Sequence, residues 1–411
     1  MATVDPMPEP APPEPSPSER TVVRVLPRKH QRMKAGHPWL YSNEIEMTAA
    51  LKALPAGCIV DIVNAGGEPL GSAMFNARSL VAARMIARAP GAALDRALIE
   101  AKLRAALALR DRIVGVPHYR LVHAEADGLP GLIVDRFDDV VVVQANTAGM
   151  QRAEEAVLAA IEAVLAPRVV VLRNDSPVRT LEGLDLGVRL VKGALDGPIA
   201  LVENGVRFLA DPSAGQKTGW FFDQRDHRAA VAAVARDARV LGVFAYTGGF
   251  GVTAAVNGAR EVTFVDRSDA ALALAEQSAA LNGVADRCRF VRAAAFTEME
   301  LLKANGTVFD VVVVDPPAFV KSRKDLAAGS RGYVKVTRMA ADLVAPGGFL
   351  FTASCSHNVG ADLFADLVRK GLETAGRSGR ILRSAGAGPD HPVHPFLPES
   401  AYLKGQLLQL D

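Results

Sequence analysis

Cysteine is scarce. Three thiols, Cys58, Cys288 and Cys355, serve 411 residues. So few, so far apart, exclude a disulfide framework and fit the reducing cytoplasm. Long apolar runs are missing too. Although 49% of the residues are hydrophobic, none of the runs reaches the ~18 residues of a membrane-spanning helix. The eight histidines show no metal-ligand spacing, so no metal site is expected. Nor is there an excess of one charge: 47 basic and 45 acidic residues leave a net +2. That balance alone argues little for nucleic acid. The start hides something, however. Residues 1–20 hold Asp5, Glu9, Glu14 and Glu19 against Arg20, and setting aside that net −3 leaves the remainder at +5. This start is rich in Pro and Glu and has no apolar h-region. It reads as a disordered tail over 1–20, not as a secretory signal.

A chain of this length is expected to form two or three domains. The densest basic stretch is 28–39. Arg28, Lys29, Arg32 and Lys34 can meet phosphates there while Trp39 stacks or packs. A solvated face beside a core tryptophan is the equal alternative. Short β-type runs at 58–63 and 80–86, separated by glycines, predict a small β-barrel. Helical spacing covers 94–113. A hairpin follows over 132–144, turning at Asp138-Asp139, then a helix near 150–165 and a strand at 169–172. Nothing in that middle segment reads as catalytic. Asn204-Gly205 suits a type I′ turn in a hairpin over 199–209.

The run Val240-Leu-Gly-Val-Phe-Ala-Tyr-Thr-Gly-Gly-Phe-Gly251 reads as a buried strand, a glycine-rich turn and a helix start. Gly248, Gly249 and Gly251 leave backbone N–H groups open and allow a ligand close to the main chain. Asp266 ends the next strand, where a carboxylate can accept from both hydroxyls of a ribose. The pattern predicts a nucleoside cofactor. A tight strand-to-helix turn explains the glycines equally well by themselves, and Gly249 to Ala254 also matches the dinucleotide fingerprint. Asp315-Pro316-Pro317 separates the two cofactor classes. It ends a strand at 309–314 and puts an acid and two rigid residues where open α/β sheets bind ligands. Dehydrogenases do not need it, whereas enzymes that move a methyl group from S-adenosylmethionine to a nucleobase commonly carry it. Strands near 239–244, 261–266, 288–293, 309–315 and 348–354 alternate with helical stretches. Two more strands lie around Ile381 and 402–410. Ser268 is expected to cap a helix that Gly283 stops.

Several stretches together resemble PUA-domain class I S-adenosylmethionine-dependent methyltransferases that make 5-methylcytosine in large-subunit ribosomal RNA. They are Lys217-Thr-Gly-Trp-Phe-Phe-Asp-Gln-Arg-Asp226, Phe244 to Gly251, Asp315-Pro-Pro-Ala-Phe319, Arg331-Gly-Tyr333, Ser354-Cys-Ser356 and Tyr402-Leu-Lys-Gly405. Gly36-His-Pro-Trp39 and the segment 124–131 also fit, so the resemblance runs from about residue 21 to the C-terminus. It implies an α/β class I methyltransferase domain with a Rossmann-like seven-stranded sheet over 199–411. An N-terminal PUA-like RNA-binding barrel over 21–92 and a middle α+β domain over 93–198 would precede it. It implies S-adenosylmethionine as cofactor, ribosomal RNA as partner and a cytoplasmic location. A homodimer is compatible with the sequence, which carries no signal of oligomeric state. Asp223, Gln224 and Arg225 would close over the cofactor, with Asp223 and Arg225 near its amino-acid end. Phe244, Tyr246, Thr247 and Phe250 would join the glycines, Asp266 and Asp315 around it.

Cys355 follows the fifth strand. A thiolate added to cytosine C6 pushes electron density onto C5, which then attacks the sulfonium methyl. Asp315 would hold the polar edge of the base. Cys58 and Cys288 read as structural. The basic residues Lys321, Arg323 and Arg331, in what reads as a mobile loop over 321–333, can grip phosphates or flank a flipped base. A solubilising surface loop is the alternative. Two departures from the family pattern stand out. Ala318 replaces the usual lysine, and 291–296 lacks the acid that accepts the adenine amine. Three rival readings follow: N-methylation of an exocyclic amine, a non-catalytic RNA-binding or ribosome-assembly factor with a decayed cofactor site, and a nicotinamide oxidoreductase.

Overall fold

The computed structural model describes residues 20–216 and 218–411. The expected tail over 1–19 and Lys217 lie outside the described residues. Among those residues, no helix is long and apolar enough to cross a membrane.

Valine-rich runs set up the C-terminal sheet. Its strands are β1 (Arg239–Val243), β2 (Glu261–Asp266), β3 (Cys288–Arg292), β4 (Phe309–Val314), β5 (Val344–Ser354), β6 (Gly379–Ala385) and β7 (Lys404–Leu410). The order across the sheet is β3-β2-β1-β4-β5-β7-β6, with β7 alone antiparallel. β4 buries every residue but Asp310. Such continuous apolar runs belong to parallel strands covered on both faces by helices. The order reverses between β1 and β4, which opens a crevice at the C-terminal strand ends. Register then decides what lines it. Val265, Val243, Val314 and Thr352 sit in one row across β2, β1, β4 and β5. Asp266, Phe244 and Asp315 therefore emerge side by side, with Cys355 just past the end of β5. Ser268 caps the helix Asp269–Leu281 by accepting from the Ala271 N–H, and Gly283 follows with φ +68°.

A second, five-stranded sheet runs Gly187–Lys192, Val169–Asn174, Val140–Ala145, Leu132–Phe137, His118–His123. The helices Arg96–Ile113 and Glu154–Leu165 accompany it. The helix expected near 150–165 breaks in two at Ala153. This sheet is not an independent module. Phe137, Val142 and Val169 share one core with Phe208, Trp220 and Val240, and the Phe137 and Phe222 rings lie 5.1 Å apart. The hairpin Ile199–Glu203/Val206–Ala210 lies in that joint. Asn204 and Gly205 hold φ of +52° and +76°, as a type I′ turn requires.

The N-terminal sheet is ordered Val22–Arg24, Cys58–Val63, Pro69–Phe75, Val81–Ala87, Trp39–Tyr41. A bridge between Val25 and Ile45 links its two edges around a core of Val23, Leu40, Val60 and Phe75.

Candidate active site

A cavity of about 830 Å³ opens at the tips of β1, β2, β4 and β5, lined by Phe244, Asp266, Asp315 and Cys355. The Asp266 carboxylate is fixed first by backbone. The Tyr246 N–H donates to Oδ2 (2.8 Å) and the Ser268 N–H to Oδ1 (2.9 Å). Each oxygen retains capacity for a further donor. Phe244 and Tyr246 both adopt left-handed backbone, with φ of +60° and +47°. This region is costly for bulky side chains and persists where surrounding contacts enforce it. One such contact is the Asp266–Tyr246 bond. Another is the Tyr246 hydroxyl, which accepts from the Gln216 N–H at 3.0 Å and donates to the Gly219 carbonyl at 3.2 Å. Burial pushes that phenol up to about 12, so it stays a donor.

The glycines divide by role. Gly249 lines the cavity together with Thr247 and Phe250. Gly248 and Gly251 are not among its lining residues. A Cβ on Gly251 would lie 2.3 Å from the Phe264 ring, so that glycine lets the helix Gly249–Val256 press against β2. Gly248 turns the chain at φ +80°, and a Cβ there would meet Ala275 at 2.8 Å.

Asp223 and Gln224 line the cavity; Arg225 does not. The Arg225 guanidinium turns away, donating to the His118 carbonyl (2.5 Å) and pairing with Asp390 (3.8 Å) and Glu203 (3.9 Å). Arg228 lines the cavity instead, as do Arg173 and Arg267; Arg228 is held by Glu203 at 2.6 Å and stacked 4.4 Å from the Trp220 ring. The change from turn to helix lies at this point. Gln224 closes a 3₁₀ turn and Arg225 opens the helix Arg225–Ala232, where Arg228 lies one turn further along. Gln224 Nε2 donates to Asp315 (2.8 Å), and its Oε1 meets His227 Nδ1 (2.6 Å). Burial lowers His227 to about 4, so it is neutral and donates from Nδ1. The Tyr402 hydroxyl donates to Asp223. Burial holds that phenol well above its ordinary value. Arg173 and Asp175, from the middle sheet, also reach the cavity wall. The shared core lets a segment with no catalytic pattern help shape the site.

Cys355 is half-buried. Its flanking serines are buried and close on one phenol: Ser354 Oγ and Ser356 Oγ each lie 2.8 Å from the Tyr333 hydroxyl. They fix the strand end and leave the thiol in the cavity wall. Cys288 lies elsewhere, 3.2 Å from the Val284 carbonyl, with its thiol pushed up to about 11 by burial. Cys58 packs against the N-terminal core.

Where an acid was missed after β3, the wall is apolar, formed by Ala293, Ala294, Ala295 and Phe296. The acids among the described lining residues are Asp175, Asp223, Asp266 and Asp315. The Phe244 and Phe296 rings are 6.3 Å apart. These features fit S-adenosylmethionine. Aromatic and methyl surfaces there would suit a planar purine, Asp266 would suit ribose hydroxyls, and Asp223 with Arg228 would suit the charges of its amino-acid end. No group of three or more potential metal ligands occurs among the described residues.

The expected RNA contacts are scattered. Arg28 and Lys29 are exposed. Arg32 pairs with Glu44 at 3.0 Å, and Lys34 with Glu68 at 2.6 Å. Trp39 packs rather than projects. Its Nε1 donates to Glu125 of the middle segment at 2.7 Å, and Arg84 covers its ring at 5.1 Å. Lys321, Arg323 and Arg331 are all exposed. Arg331 is not in a loop, which corrects the expected mobile stretch: helix Leu326–Asp342 includes it. Gly329 lets that helix close on the Phe319 backbone, since a Cβ there would lie 2.5 Å from its carbonyl oxygen.

Known proteins share this arrangement. Residues 185–381 match the S-adenosylmethionine-dependent methyltransferase family model, and 23–88 match a PUA-like domain model. Ribosomal RNA large subunit methyltransferase I of Cronobacter sakazakii is 37% identical over 374 residues, covering 90% of this chain and 94% of that protein. The protein of that name in Pseudoalteromonas atlantica is 33% identical, covering 94% and 99%. A putative SAM-dependent methyltransferase structure from Streptococcus mutans superposes with TM-score 0.80 over 95% of this chain and all of its own, at 20% identity. A putative methyltransferase complexed with SAH gives the same score and covers 95% of this chain and 99% of its own. With this identity along nine-tenths of its length, the chain belongs to the ribosomal RNA large subunit methyltransferase I family of S-adenosylmethionine-dependent enzymes.

Proposed function

We propose that this enzyme methylates carbon 5 of a cytosine in large-subunit ribosomal RNA through a covalent adduct with Cys355. One observation carries the reading: Cys355, Asp315 and Asp266 open into the same cavity. The Cys355 thiolate adds to C6 of the extruded base, forming the S–C6 bond and moving the ring electrons toward C5. S-adenosylmethionine, when bound, supplies the electrophilic methyl that C5 accepts. A base then takes the C5 proton, the S–C6 bond breaks, and the thiolate returns. Asp315, oriented by Gln224, accepts from the exocyclic amine and sets the base edge. Phe244 and the 293–296 wall hold the purine of the methyl donor, and backbone groups there stand in for the missing acid.

The reading assigns RNA grip to the barrel over 21–92, cleft shaping to 93–198 and chemistry to 199–411, in a cytoplasmic protein. Arg28 and Lys29, with Lys321, Arg323 and Arg331, are the cations assigned to RNA phosphates. The test is to map 5-methylcytosine in large-subunit RNA from cells with and without this protein, then with Cys355→Ala. One cytosine should lose its methyl group in both altered strains. An unchanged map, or a lost methyl on an exocyclic amine, would overturn the proposal.

A further inference from the structure

β7 begins at Lys404, directly opposite Ser354 of β5. The Lys404 ammonium reaches past that pair and donates to the Ser356 and Tyr402 carbonyl oxygens, each at 2.7 Å. Cys355 thus lies between Ser354, which pairs with Lys404, and Ser356, whose carbonyl accepts from it. Lys404 is only 8% exposed. Two neutral carbonyls occupy two of its three donors without neutralising its charge. A buried cation in that state favours an anion beside it.

We propose that Lys404 is a positioning residue that holds Cys355 as its thiolate and fixes the strand end from which the thiol meets the base. The inference rests on Cys355 being the nucleophile of the proposed reaction. The thiol proton passes to solvent; the ammonium keeps its three. Burial lowers Lys404 to about 8, and the electrostatic pull of Cys355 opposes that fall, so the ammonium is charged at neutral pH.

Other titratable groups also face the thiol or its cavity. Tyr333, from helix Leu326–Asp342, and Tyr402, just before β7, are both in electrostatic reach of Cys355 and both held protonated by burial. Asp223, which accepts from Tyr402, and Asp315, which accepts from Gln224, line the same cavity; a carboxylate there opposes the thiolate, and Lys404 acts against that opposition. A thiolate beside a cation is the reactive form of cysteine.

The test is alkylation of Cys355 by iodoacetamide across pH, followed by peptide mass spectrometry. It uses full-length protein carrying Cys58→Ala and Cys288→Ala. At neutral pH, Lys404→Met should slow alkylation by about tenfold, with rates converging at alkaline pH. Lys404→Arg should stay near wild type. A neutral-pH rate unchanged in Lys404→Met, or slowed equally at every pH, would overturn the proposal. If Lys404→Met does not fold, wild-type Cys355 must still react faster at neutral pH than free cysteine; an equal or slower rate refutes it. Methylation by Cys355→Ala separately tests the nucleophile, so the two failures are distinguishable.

Discussion

In the strand-tip cleft, polar groups from several elements converge; in the basic stretch of the N-terminal barrel, charges pair off. Asp266, Asp315 and Cys355 leave three strands and meet Gln224, from a 3₁₀ turn, and Arg228, from the helix after it, around one cavity. Arg32 and Lys34 instead close on Glu44 and Glu68. The first arrangement follows from sheet register and is enforced by buried hydrogen bonds. The second consists of solvent-accessible pairs, which water and salt screen. Chemistry is therefore concentrated where the backbone leaves few choices, and surface charge tolerates rearrangement.

The cleft side breaks most easily. Cys355→Ala should lower methylation by at least ~10³-fold, the scale on which removing a nucleophile acts. Calorimetric affinity for S-adenosylmethionine should remain, because the thiol holds neither partner. Full turnover by that variant would move the chemistry to Asp315-Pro316-Pro317. Next in size, Asp266→Ala should cost about 3 kcal/mol of cofactor affinity, on the order of a hundredfold, through two lost charge-assisted hydrogen bonds. Asp266→Asn should lose less, since its one oxygen can still accept. Unchanged affinity in folded Asp266→Ala would sink the ribose assignment.

Acid should strike the buried side selectively. His227 falls from 6.5 to about 4 through burial, and His118 and His123 are lowered for the same reason. As pH falls below 6.5, the unfolded chain takes up protons that the fold refuses. Stability should then decline, His227 alone contributing about 2–3 kcal/mol by the time pH nears 4. Denaturant midpoints measured across that window check the slope, and His227→Gln should flatten it. The smallest effect belongs to the barrel. Reversing Arg28 and Lys29 should flatten the salt dependence of RNA binding by about 1.4–1.8 in log–log slope. Reversing Arg32 and Lys34 should change it less, because each already holds a carboxylate. Equal losses from both pairs would erase the distinction between converging and self-paired charge.

Much of the cleft was readable before any fold was known. Asp266 and Asp315 end apolar runs, and a parallel sheet puts such ends on one edge. Three parts were not readable. The choice between Arg225 and Arg228 depends on helix phase next to a short 3₁₀ turn. The pairing of Lys404 with Ser354 spans about fifty residues and depends on an antiparallel return strand. The packing of Gly251 against Phe264 was hidden because Phe264 lies on the next strand. Elsewhere, the strand Pro69–Phe75 starts at a proline and contains Gly71, residues that local propensity counts against a strand. Strand Gly187–Lys192 is exposed along its whole length, so no alternation marks it.

The central claim is the covalent role of Cys355. Substrate RNA carrying 5-fluorocytosine at the target position, incubated with the enzyme and S-adenosylmethionine, tests it directly. The C5 fluorine cannot leave as a proton does, so the adduct should persist and peptide mass spectrometry should find the nucleotide on Cys355. Absence of an adduct under conditions that methylate ordinary cytosine, or an adduct on Cys58 or Cys288, would contradict it.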